Sequence, residues 1–239
     1  SSPSPNLLVF INGLGLPASS WEASILHFLS LTENHPAFLS YDRFGQGLTT
    51  SRDPLDGTPG KELGHDFLDV ANDLYELIHV VIRKEELGSS LEETNIIMIG
   101  ASIGCPITRL YIDTHPGVVS GVIFLDSNIP HVNYSDIIPD PSAPRFDPST
   151  VIDEDCTLPQ YIGARLALCQ RFDLDVKNAE GVDRTPGPHL LPDAENPKLV
   201  GKGRKMELSI VGHDPVKFAE IGFEMMGTPK SLSMKFVNK

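Results

Sequence analysis

The sequence has no apolar run near the roughly 20 residues that a bilayer-crossing helix needs. Its start, Ser1 to Asn6, holds no basic residue of the kind that begins a secretory signal. The expectation is a cytoplasmic or other intracellular protein without a membrane partner. Cysteine is scarce. Cys105, Cys156 and Cys169 are odd in number, lack metal-ligand spacing and cannot all pair within one chain, so they read as reduced, mostly buried thiols. Positive charge is short as well. The 19 Lys and Arg residues against 32 Asp and Glu leave a net −13, a surface that repels nucleic acid and anionic membrane. That excess of acid chiefly serves solubility; it points only weakly to a neutral or cationic small-molecule substrate and says nothing about oligomeric state. Repeats and low-complexity tracts are absent. What remains is ordinary for a globular chain: 239 residues, 40% hydrophobic and 21% charged, enough for one well-buried domain with an inserted subdomain.

Five short apolar runs read as strands: Leu7 to Ile11, Ala37 to Tyr41, Asn95 to Ile99, Val118 to Leu125 and Met206 to Val211. Helical segments alternate with them. One opens near Ser19-Ser20-Trp21-Glu22, with either serine as its N-cap. A long amphipathic helix covers His65 to Leu87, with Phe67, Ala71, Leu74, Ile78 and Val81 facing a sheet. Asp69, Asp73 and Glu76 lie toward water, and Gly88 serves as the residue past the helix end. A third helix runs from Cys105 to Thr114. Alternating strands and helices imply an α/β fold with a doubly wound, mostly parallel sheet. The stretch from Pro130 to Lys205 breaks this rhythm. It holds half of the chain's prolines, and only Leu158 to Phe172 is clearly helical. A long insertion between core strands is usually a functional lid, so residues 130–205 are expected to form a cap within a single 1–239 domain.

Gly100-Ala101-Ser102-Ile103-Gly104 is a G-x-S-x-G sequence set between a buried strand and a helix. That context marks Ser102 as a nucleophile. A serine on a sharp, strained turn projects its hydroxyl above the carboxyl edge of the sheet, and flanking glycines let strand and helix approach. The tetrahedral intermediate of acyl transfer then needs two N–H donors. Ile103 supplies one, and Leu14 or Gly13, in the Asn12-Gly13-Leu14-Gly15 turn after the first strand, supplies the other.

These segments, with Tyr41-Asp42-Arg43-Phe44-Gly45-Gln46-Gly47 between them, resemble the α/β-hydrolase superfamily, and the whole is similar to uncharacterised fungal members of it. The first turn carries Asn12-Gly13 where family members often have His-Gly. The Asp42-Arg43 turn resembles the family's D-x-x-G-x-G loop, to which no catalytic role falls. The resemblance implies a Ser-Asp-His triad in that order. Asp126, after the fourth strand, is the preferred acid. Asp214, in Gly212-His213-Asp214-Pro215, is the alternative, and its other reading is turn chemistry ahead of a helix. No histidine stands where the family places its base. The family also has two strands before Leu7, so the chain is expected to be cut short at both ends with the base outside it. His213 and then His131 are the fallbacks. His65 reads as a helix amino-end residue and His115 as a helix-ending cation.

The leading expectation is a serine esterase or lactonase acting on a small acyl substrate without cofactor or metal. A lyase, a cyclase or a cofactor-free oxygenase on the same fold is one alternative. A non-catalytic small-molecule binder is the other.

Overall fold

The computed structural model describes residues 6–88, 90–127, 130–192, 199–201 and 206–237. In chain order the elements are β1 (Asn6–Ile11), a 3-10 turn (Ala18–Trp21), α1 (Glu22–Leu31), β2 (Ala37–Ser40), α2 (Phe67–Lys84), β3 (Asn95–Ala101), α3 (Gly104–Thr114) and β4 (Val119–Leu125). Then come α4 (Tyr134–Ile137), α5 (Leu158–Phe172), α6 (Gly187–Leu190), β5 (Glu207–Val211), α7 (Pro215–Met226) and α8 (Lys230–Leu232). The five strands form one parallel sheet in the order β2-β1-β3-β4-β5. The chain falls into two compact units, residues 1–130 with 177–211, and residues 131–176 with 212–239. The proline-rich 130–205 stretch is therefore divided between them, and 193–198 and 202–205 lie outside the described residues.

In the first unit, strand alternation separates two apolar clusters. Leu7, Val9 and Ile11 of β1, with Ile96 and Met98 of β3, bury one face beneath α2 and α3. Phe10 and Ile99 bury the other face with Trp21. Edge strand β5 keeps all its residues exposed. Helix α2 owes its start to Asp66, whose carboxylate accepts from the Leu68 and Asp69 N–H groups at 2.8 and 3.2 Å. Asp69 in turn accepts from the Asp66 N–H at 2.8 Å, which completes a capping box. Asp69 is thus half-buried rather than turned to water.

Three further details differ from the sequence reading. The buried stripe of α2 ends on Ile82, not Val81. The chain leaves that helix through Glu86, which adopts the left-handed φ of 52°, two residues before Gly88. Helix α1 begins after the 3-10 turn with Trp21 at its N-cap and no capping side chain, so neither Ser19 nor Ser20 serves there.

The second unit packs Ile138, Val151, Cys156, Tyr161, Leu168 and Leu232 into its own core. Tyr161 donates its hydroxyl to Pro139 O at 2.6 Å, and Arg165 Nε donates to Ile138 O at 2.9 Å. Gly163 lies inside α5, and a Cβ there meets open space. Gly163→Ala is expected to raise stability by about 0.8 kcal/mol, because alanine surrenders less backbone entropy in a helix; a urea titration showing no gain would contradict this. Among the described residues, no helix is long and apolar enough to cross a membrane.

Candidate active site

Strand register brings the first unit's functional residues to one edge. Ile11 pairs with Gly100, Ala101 with Leu125, and Leu125 with Val211, so β1, β3, β4 and β5 end level with one another. The ladder runs one residue further, with the Ser102 N–H on Leu125 O at 3.0 Å and the Asp126 N–H on Val211 O at 2.8 Å. Both residues stand in the left-handed region, Ser102 at a φ of 51° and Asp126 at 47°. Neither is glycine, and such conformations cost energy that a packed site must hold in place.

Space around the turn explains its glycines. A Cβ on Gly104 would lie 2.3 Å from Ile11 O, and one on Gly100 would lie 2.7 Å from Gly104 O. Only with both side chains absent can α3 start against the end of β1. A Cβ on Gly13 would come within 3.4 Å of Ser102 Cβ, so the Asn12–Gly15 loop lies against the serine. Ile103, buried at the start of α3, and Leu14 carry N–H groups with no acceptor among the described residues. Among those residues, Ser102 Oγ likewise makes no hydrogen bond. Behind the turn, Cys105 donates its thiol to Gly100 O at 3.1 Å. Burial pushes that thiol up to about 11, against hydrogen bonds involving Ser127 and Leu125, so it is protonated and unreactive. Cys105, Cys156 and Cys169 are all free.

A buried polar cluster holds the Asn12–Gly15 loop. Arg43 Nε and Nη2 donate to the Glu180 carboxylate at 2.9 and 3.2 Å. Its Nη1 donates to Asn12 O at 2.8 Å and its Nη2 also to Gly13 O at 3.0 Å. Gln46 Nε2 donates to Gly13 O and to Glu180 Oε1, each at 3.1 Å. Asn12 Nδ2 donates to Tyr41 O at 2.9 Å and to Gln46 Oε1 at 3.0 Å, while Trp21 Nε1 donates to Asn12 Oδ1. Sequence reasoning quoted Arg43 and Gln46 only as part of a structural loop, and it missed Glu180 within the expected cap.

The remaining sequence candidates have other surroundings. The Asp214 carboxylate caps α7, accepting from the Val216 and Lys217 N–H groups at 2.9 and 3.1 Å, which is the helix-start chemistry weighed against a catalytic role. The His213 ring stacks on Phe218 with centroids 4.1 Å apart. Both His131 ring nitrogens are buried without a hydrogen-bond partner among the described residues. His115 does close α3, but burial and the nearby His79 lower its pKa, so at neutral pH it is uncharged and stacks on Tyr75 at 3.7 Å instead of acting as a cation.

His65, only 1% exposed, precedes the α2 cap, and its Nδ1 lies 2.8 Å from Asp56 Oδ1 and 3.9 Å from Asp53 Oδ2. Among the described residues, these three form the group close enough to hold a metal ion. Asp56 Oδ1 already accepts from the His65 ring and backbone N–H, and Arg52 adds positive charge beside it, so the group reads as a clasp on the 52–66 loop. Burial alone would raise the Asp56 carboxyl. The His65 hydrogen bonds and charge, with Arg52, outweigh it and hold the group below the usual carboxylate range. Its contribution to stability is therefore present above the unfolded value, about pH 4, and lost as pH falls through the lower folded value. Asp56→Asn is expected to be less stable than the parent at about pH 6 and to approach it at about pH 3 in urea titrations; a gap that stayed constant would contradict this.

A sequence profile of the alpha/beta hydrolase family matches residues 8–214. No curated protein matches the chain. Among solved structures, the peroxisomal alpha-beta-hydrolase Lpx1 from Saccharomyces cerevisiae is similar at a TM-score of 0.51 and 12% identity, over 90% of this chain and 72% of that one. A thermostable carboxyl esterase from Bacillus coagulans gives a TM-score of 0.43 at 14% identity, over 92% of this chain and 86% of that one.

Proposed function

The chain belongs to the alpha/beta hydrolase family, and from that membership and the turn at Ser102 we propose that it is a serine hydrolase that cleaves esters or lactones of small acyl compounds. The observation that carries this reading is the serine held left-handed between β3 and α3 with the Asn12–Gly15 loop against it, while the Leu14 and Ile103 N–H groups have no acceptor among the described residues. Ser102 Oγ attacks the acyl carbonyl while an imidazole base takes its proton, and Asp126 orients that imidazole. Leu14 and Ile103 N–H groups hold the oxyanion, the imidazolium gives its proton to the departing alcohol, and a water deprotonated by the same imidazole then releases the acyl group from Ser102 as a carboxylic acid. The amino end of α3 favours the negative charge that develops there.

The test is covalent. A fluorophosphonate probe is expected to label the parent protein at Ser102, read by mass spectrometry of the tryptic peptide; a folded protein that resists the probe would sink the proposal. The rate of labelling carries the signature of the base. An imidazole must be neutral to accept the proton, so the rate is expected to rise through about pH 6.5 and level above it. A rate independent of pH over that range would mean that no imidazole takes part.

A second reading, a non-catalytic binder of small molecules, draws on the absence of any hydrogen bond to Ser102 Oγ among the described residues. It predicts no labelling, together with a melting temperature that rises with ligand. Labelling without ester or lactone turnover would point instead to a lyase or cyclase on this fold.

A further inference from the structure

We propose that Arg43, Gln46 and Glu180 are positioning residues that aim the N–H groups of the Asn12–Gly15 loop at the oxyanion, an inference that rests on the hydrolase reading above. The reason lies in peptide geometry. A trans peptide unit points its carbonyl and its N–H to opposite sides. The Asn12 carbonyl shares a unit with the Gly13 N–H, and the Gly13 carbonyl shares one with the Leu14 N–H. Arg43 Nη1 holds the first carbonyl at 2.8 Å, while Arg43 Nη2 and Gln46 Nε2 hold the second at 3.0 and 3.1 Å. With both carbonyls drawn to the guanidinium, the Gly13 and Leu14 N–H groups face away from it. In the next unit the Gly15 N–H donates to Glu180 Oε1, which turns the Leu14 carbonyl away from that carboxylate. Three side chains thus set three consecutive peptide planes. Neither the Gly13 nor the Leu14 N–H has an acceptor among the described residues, and Gly13 is the residue packed against Ser102.

The chemistry of the cluster fits this task. One guanidinium reaches two carbonyls and a carboxylate at fixed angles, which a lysine ammonium cannot copy. Arg43 is 4% exposed and Glu180 fully buried, so each charge needs the other. A pair serving only as an internal ion pair would have no need of the loop carbonyls, yet both terminal nitrogens of Arg43 donate to them.

The experiment uses the whole chain with the fluorophosphonate probe, p-nitrophenyl acetate and thermal melts. Gln46→Met keeps the Arg43–Glu180 ion pair and removes a donor to Gly13 O, together with the Gln46 bonds to Glu180, Asn12 Nδ2 and the Arg43 N–H; it is expected to slow labelling of Ser102 and lower kcat about 10-fold with KM nearly unchanged. Glu180→Gln and Arg43→Lys are expected to lose about 100-fold, again in kcat. Ile82→Ala, a truncation in the α2 core, is expected to lose comparable or greater melting temperature while labelling at the parent rate below its transition. If Glu180→Gln or Arg43→Lys fails to fold, Gln46→Met decides. Parent-like labelling and kcat in folded Gln46→Met would overturn the positioning role, as would an Ile82→Ala protein slowed in step with its melting temperature. A parent protein unlabelled at Ser102 would overturn the hydrolase reading, and this inference with it.

Discussion

Ser102→Ala is expected to lower ester turnover by about 10⁴-fold or more, about 5.4 kcal/mol of transition-state stabilisation, and to abolish fluorophosphonate labelling. Alanine removes the Ser102 oxygen that bonds the acyl carbon in this mechanism. It leaves the two N–H donors where they are, so a small residual rate over water is expected to persist. The fold is expected to survive, because alanine inherits the left-handed φ of 51° with much the same strain as serine. Equal urea midpoints for parent and variant, beside the loss of turnover, would assign the effect to chemistry. Turnover within about tenfold of the parent would remove Ser102 from the mechanism.

Gly104→Ala is expected to be the most damaging small substitution near the site, costing about 3 kcal/mol of stability and roughly 6–12 °C in melting temperature. The new Cβ would stand 2.3 Å from Ile11 O and 3.2 Å from Asn12 O. Backbone, not a flexible side chain, must yield. The start of α3 would have to lift from the end of β1, carrying Ser102 away from the loop that packs on it. A displacement of about 1 Å in such a site costs on the order of 10²-fold in rate. Gly212→Ala is the control, since a Cβ there meets nothing within 4 Å. It is expected to stay within about 0.5 kcal/mol of the parent. Urea titration of both variants checks the pair, and equal midpoints would mean that α3 has room the structure does not show.

Much of the first unit was legible because its signals are local. Buried strands are short apolar runs, α2 is a long 3.6-period stripe, and the Ser102 turn lies between a strand and a helix that each announce themselves. The α5 boundaries, Leu158 to Phe172, are also those read from the sequence. Errors arose where local signals tie. Val80, Val81 and Ile82 are consecutive and apolar, so steps of three and four fit equally, and only packing against the sheet selects Ile82. Gly88 is the better glycine for a helix end, yet the chain turned two residues sooner, at Glu86. Ser19 and Ser20 are good caps that the 3-10 turn bypasses. Glu180 was illegible for another reason. It lies in a segment without periodicity, and its meaning resides wholly in partners far away in the chain.

That distance has a consequence for how the molecule is assembled. The contact between Asn12 and Gln46 spans 34 residues, whereas that between Arg43 and Glu180 spans 137. Closing the longer loop costs about 1.2 kcal/mol more entropy than closing the shorter one, two doublings at about 0.6 each. Contacts of such separation tend to form late, after local helices and neighbouring strands have found each other. A folding intermediate that already owns β1, β3 and α3 would therefore hold its serine in place with the loop beside it still unaimed, so secondary structure should return before reactivity when the unfolded chain is diluted from denaturant.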